Sequence, residues 1–202
     1  MSRDDVVVKG PEEFQLLVPV FHTANACCGA ATAYLLRRIA YRAGAYAPGI
    51  QEHIFHELNT SREGGSIEKV QRWFGARVTI MMELGYRLQY RRVAIPTPAL
   101  LDWVRQGKGY RGAMLPTNFR RIHPGPNAGG DESLDNNLPH AVGISMEKLG
   151  GPTKDDELVM IDPWPGVDQS GATDRGKLSP ALELAHKERN FHALVYYWVG
   201  WS

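Results

Sequence analysis

A chain of 202 residues with 43% hydrophobic and 22% charged side chains can bury one sizeable core, which excludes a disordered or fibrous polymer and predicts a single domain over residues 1–202. Its 23 basic and 22 acidic side chains leave a formal charge of +1, so no overall field favours nucleic acid, an anionic membrane or an acidic substrate. Two adjacent cysteines, Cys27 and Cys28, make a poor disulfide framework and suit a reducing compartment.

The opening Met-Ser-Arg-Asp-Asp lacks the cationic and apolar regions of a secretory signal, and no apolar run approaches the roughly 18 residues of a transmembrane helix. The expectation is a soluble protein, cytoplasmic or exported by a signal-independent route. Residues 1–17 read as an N-terminal extension or edge strand, and Phe14 to Val20 as a short apolar strand. Cys28 to Ala43 places Ala31, Leu35, Leu36 and Ile39 at helical spacing, and Gly44 stops that helix. Ile50 to Leu58 and Ser66 to Phe74 read as two further helices, the second opened by Ser66 with Glu68 in its first turn.

Val78 to Leu84 and Leu88 to Ile95 are rich in β-branched and apolar residues around Gly85, which predicts two strands joined by a turn. Thr97-Pro98 supplies an N-cap and a first-turn proline for a helix over Ala99 to Arg105. Gly109 to Leu115 is a predicted strand. Pro116 to Leu138, dense in proline, glycine and asparagine, reads as a long loop, a mobile flap beside the candidate site. His140 to Met146 and Glu157 to Ile161 form a predicted strand pair, followed by a helix over Ser179 to Lys187 and a strand over Ala193 to Val199. This order predicts an α+β fold, its first helix packed on a mostly antiparallel sheet.

Chemistry enters through three element boundaries. Cys28 sits at a helix N-terminus, where free amides and partial positive charge favour a thiolate, with small neighbours Gly29, Ala30 and Ala31. His140 enters a strand and Asp162 ends the next, the order expected of a nucleophile, its base and the base's orienter. Cys27 is the rival nucleophile at the same boundary. Buried cysteines packed as small hydrophobes are the non-catalytic alternative.

Cys28-Gly29, His140-Ala141-Val142-Gly143 and Asp162-Pro163-Trp164-Pro165-Gly166, in that order, resemble the papain-like cysteine peptidase superfamily. Within it they are most similar to the bacterial branch of bacteriocin-processing, double-glycine leader peptidases and papain-like effector proteases. The resemblance implies a papain-like fold, a Cys28–His140–Asp162 triad, a peptide or isopeptide bond as substrate, and no metal or organic cofactor. It also implies that Cys28, which precedes the glycine, is the nucleophile. The family carries an oxyanion-hole glutamine six residues before its cysteine, and His22 stands there in this chain, with Asn25 as another donor in reach. A papain-fold binding module that recognises a peptide or partner protein without catalysis is the rival expectation.

Other chemistries fit less well. His53, His56 and Glu57 share one short segment, but their spacing matches no zinc-peptidase motif. No glycine-rich phosphate loop is present. In Tyr86 to Arg92 the alternation predicts arginines facing solvent with Leu88 and Tyr90 inward, rather than a nucleic-acid stripe.

Overall fold

Small side chains after the cysteines allow the first helix to lie unusually deep. The helix α1, Cys27–Arg42, buries Ala30, Ala31, Tyr34, Leu35, Leu36, Ile39 and Ala40 almost completely. It ends where Gly44 takes φ 67°, a conformation that costs glycine no Cβ clash. The computed structural model describes residues 7–9, 27–44, 66–83, 87–94, 97–118, 139–148, 156–161 and 192–199. The strand expected over Phe14 to Val20 and the helices over Ile50 to Leu58 and Ser179 to Lys187 lie outside them.

Ser66 caps the next helix, α2, Ile67–Glu83, by accepting a hydrogen bond from the Lys69 amide at 3.2 Å. This helix corrects one expectation: the stretch from Val78, predicted as a strand, continues α2 to Glu83. The β-branched residues that prompted the strand reading cost a helix at most about 0.7 kcal/mol each. Extending a helix that is already capped and anchored by Val70, Trp73 and Phe74 overrides that small preference. Gly75 inside α2 allows a close approach, since a Cβ there would lie 3.2 Å from the Tyr90 hydroxyl.

The remaining elements are β1 (Val7–Lys9), β2 (Leu88–Val93), α3 (Thr97–Gln106), β3 (Arg111–Asn118), β4 (Pro139–Lys148), β5 (Asp156–Ile161) and β6 (Ala193–Trp198). They form a six-stranded sheet among the described residues, ordered β1-β5-β4-β3-β6-β2. Only β1 and β5 run parallel; the other pairs are antiparallel. The strand β3 begins at Arg111 rather than Gly109, because Lys108 at φ 48° and Gly109 at φ 88° form the turn before it.

That strand also runs three residues into the stretch expected as a loop, through Pro116, Thr117 and Asn118. Beyond Met114 the pairing among the described residues is with β4, and a proline, which has no N–H to donate, is tolerated where a ladder bond is not required of it.

Alternation along the strands divides the core between two faces. Met114, Ala141, Leu194 and Tyr196 pack under α1 and α2, while Ala113, Leu115, Val142, Ile144, Met160 and Val195 pack under α3. Thr32 on α1 and Tyr196 on β6 share a buried hydrogen bond of 3.0 Å. On the opposite face, Arg111 donates to the Trp103 carbonyl at 3.1 Å and lies over its ring, which meets Tyr197 edge-on. In β2, Leu88 is buried, Tyr90 half-buried and Arg91 exposed, as the alternation predicts; Arg92 falls on the face of Leu88 and Tyr90, yet it is exposed and pairs with Glu68 of α2. The architecture is mixed α+β, with helices on both faces of a mostly antiparallel sheet. No helix among the described residues is long and apolar enough to cross a membrane.

Candidate active site

Leu35 fixes α1 on the sheet. A Cβ on Gly112 would lie 2.8 Å from a Leu35 methyl, and one on Gly143 would lie 3.1 Å from Leu35 Cγ, so the two glycines form the seat for this side chain. Further along, a Cβ on Gly109 would meet Arg42 at 3.1 Å and the Met146 carbonyl at 3.3 Å. The helix therefore runs in the direction of β4, its C-terminus over Met146 and its N-terminus toward the start of the strand.

Travel along the two elements is matched. Seven residues of helix from Leu35 back to Cys28 rise about 10.5 Å, and three residues of strand from Gly143 back to His140 span about 10 Å. Cys28 and His140 thus reach the same end of the sheet. Cys28 shares its core with Ala141, the residue after the histidine. Both predicted residues are buried, Cys28 at 7% and His140 at 5% exposure.

The faces differ. Ala141 and Gly143 lie under α1, so strict alternation gives His140 the α3 face together with Val142 and Ile144. A contact between thiol and imidazole would have to be made around the start of β4, not across one face. Asp162, His22 and Asn25 lie outside the described residues, as do His53, His56, Glu57, Trp164 and residues 119–138 of the expected flap. The last residue of β5, Ile161, pairs with Gly143. Among the described residues no group of three metal-binding side chains comes together.

Electrostatics separates the two thiols. The Cys28 thiol is pushed well above its ordinary range, first by its hydrogen bond to Cys27, then by burial, then by the negative charges of Cys27 and Glu68. A backbone hydrogen bond at the helix start acts in the lowering direction expected of an N-terminus, but it is outweighed. The bond to Cys27 keeps the proton on Cys28, the more deeply buried of the two cysteines.

Glu68, at the start of α2, is held below the usual carboxylate range by a hydrogen bond from its own amide, helped by Arg92 at 2.9 Å and by Ser66. It therefore remains charged at neutral pH and opposes a thiolate on Cys28.

Comparison of the chain with models of protein families, with curated proteins and with solved structures returns no match.

Two residues near the site escape a reading of the sequence. Glu68 enters through the packing of α2 on α1, which no local pattern encodes. Thr117 stands opposite His140 in the β3–β4 register. Its hydroxyl oxygen is sealed from solvent and has no hydrogen-bond partner among the described residues. The alternation Ala113, Leu115, Thr117 could have signalled it, had the strand been carried past Pro116.

Proposed function

We propose that this chain is a papain-like thiol hydrolase acting on a peptide or isopeptide bond. Cys28 attacks the carbonyl as thiolate, and His140 accepts the thiol proton and returns it to the leaving amine. Asp162 orients His140, and His22 with the Cys28 amide stabilises the oxyanion. The observation that carries this reading is the matched travel along α1 and β4, which brings a thiol-bearing helix N-terminus and a buried histidine to one end of the sheet. A thiolate at that place would benefit from the free amides of the helix and from a neighbouring imidazolium.

One observation favours a second reading, a papain-fold module that binds a peptide or partner protein without cleaving it. Cys28 is buried and its proton is firmly held, as in a cysteine that serves only packing. Within the hydrolase reading the same observation makes Cys27 the rival nucleophile.

A panel of fluorogenic peptides and isopeptides, combined with a peptidyl electrophile and mass-spectrometric mapping of the adduct, tests both. The hydrolase reading expects turnover and a single adduct at Cys28, both abolished in His140→Ala. An adduct at Cys27 moves the nucleophile by one residue. Absence of turnover, with labelling no faster than that of a free thiol and indifferent to His140, leaves the binding module.

A further inference from the structure

Directly opposed residues of an antiparallel pair project from the same face with Cβ atoms about 4.5–5.5 Å apart. Thr117 and His140 are such a pair. The surroundings on that face are apolar, with Leu115 and Val142 the next residues along the two strands. In such a place a hydroxyl without a partner is costly, and valine would fill the same volume without the penalty. A threonine there is accounted for if its oxygen is engaged in another state of the site.

We propose that Thr117 is a positioning residue for His140, its hydroxyl oxygen accepting the ring N–H that faces away from the sulfur. The inference rests on the reading of His140 as the base, and the N–H it assigns to Thr117 is shared with the Asp162 carboxylate that orients the ring in that reading. By alternation the ring belongs to the α3 face, while the thiols approach from the α1 side. A ring that reaches around the start of β4 with one nitrogen keeps the other on its own face, where Thr117 stands. When the first nitrogen takes the thiol proton, sulfur becomes thiolate and the ring becomes imidazolium with two N–H donors. The Thr117 oxygen accepts the second, and the threonine keeps its own proton. An acceptor at that position favours the charged ring, so it raises the His140 pKa and increases the thiolate fraction.

Other ionisable groups on the elements around β4 are placed differently. On α1, Cys27 and Cys28 share the His140 end, whereas Arg37, Arg38 and Arg42 follow toward the other. On α3, Asp102 and Arg105 bond each other at 3.3 Å. Arg111 begins β3 at its far end, where it binds the Trp103 carbonyl. Lys148 and Glu147 of β4 face Asp156 and Glu157 of β5, again at the far end. Among the described residues, Thr117 is thus the polar residue paired with His140.

The test is an NMR titration of the His140 ring in the intact protein, assigned by its loss in His140→Gln, for the wild type, Thr117→Val and Thr117→Ser. Thr117→Val should lower the His140 pKa by about half a unit with an unchanged or higher melting temperature, and Thr117→Ser should restore it. The pH profile of thiol alkylation should shift in the same way. Should the valine variant fail to fold, Thr117→Ala is read by the same criteria. A His140 titration that does not respond to loss of the hydroxyl overturns the assignment. Because the titration needs no turnover, a wild type that cleaves no peptide counts against the hydrolase reading, whereas an unmoved titration counts against this one.

Discussion

Gly112→Ala perturbs the contact that seats α1, and its cost follows from the geometry. The new methyl carbon would stand 2.8 Å from Leu35 Cδ2, 3.2 Å from the Ile144 carbonyl oxygen and 3.6 Å from Leu35 Cγ. Carbon atoms prefer about 3.5–4.0 Å. Leu35 is fully buried, and the second contact is backbone, so neither neighbour can swing away. Overpacking of this kind costs about 1–3 kcal/mol, and the stiffer unfolded chain of alanine returns about 0.4–1 kcal/mol. The net expectation is a loss of about 1–2 kcal/mol. Leu35→Ala alone should cost about 2–5 kcal/mol through the cavity it leaves.

In the double variant the methyl occupies part of that cavity, so the two losses should fall short of additivity by about 1 kcal/mol or more. Urea unfolding followed by tryptophan fluorescence, with the m-value held constant, measures all three. Strict additivity would mean that Leu35 does not press on β3, and the placement of the helix N-terminus beside His140 would lose its support.

Two further outcomes follow from the thiols and their neighbours. Folding keeps the Cys28 thiol protonated, whereas an unfolded thiol ionises near 9.0, so its stabilising contribution is complete below that range and declines as pH rises through it. Tyr196, pushed up chiefly by burial, adds a decline of the same sign above 10.0. Urea midpoints between about pH 8 and pH 10 should therefore fall less steeply in Cys28→Ser than in the wild type; equal slopes would remove Cys28 from the effect. Glu68→Gln removes a charge that opposes thiolate formation, so iodoacetamide should alkylate the Cys27–Cys28 pair faster near neutral pH, and added salt should shrink the difference. An unchanged rate at low salt would show that Glu68 does not act on the thiols.

Elements whose boundaries depend on nearby residues were legible in the sequence. The helix α1 follows from the spacing of Leu35, Leu36 and Ile39 and stops at Gly44; Thr97-Pro98 starts α3; and β4, β5 and β6 fall where apolar strand patterns place them. The extension of α2 through Val78 to Glu83 was not legible, because β-branched residues carry only a weak preference that a capped and anchored helix overrides. Pro116 hid the end of β3, since a proline reads as a breaker until the pairing of that strand with β4 is known. Sheet order and the opposition of Thr117 to His140 come from contacts distant in sequence. The unequal thiols of Cys27 and Cys28 follow from burial and from Glu68 on another helix, so adjacent letters in the sequence give no hint of them.

Whether the α1 thiols and His140 work as a couple at one end of the sheet is read from the pH dependence of iodoacetamide alkylation, resolved by site for Cys27 and Cys28. In the wild type that coupling predicts a reactive limb, at whichever sulfur hands its proton to His140, below the alkaline limb at which the protonated Cys28 thiol reacts unaided. His140→Ala should abolish the lower limb and leave the alkaline one. Superimposable profiles for the two proteins at both cysteines would refute the coupling.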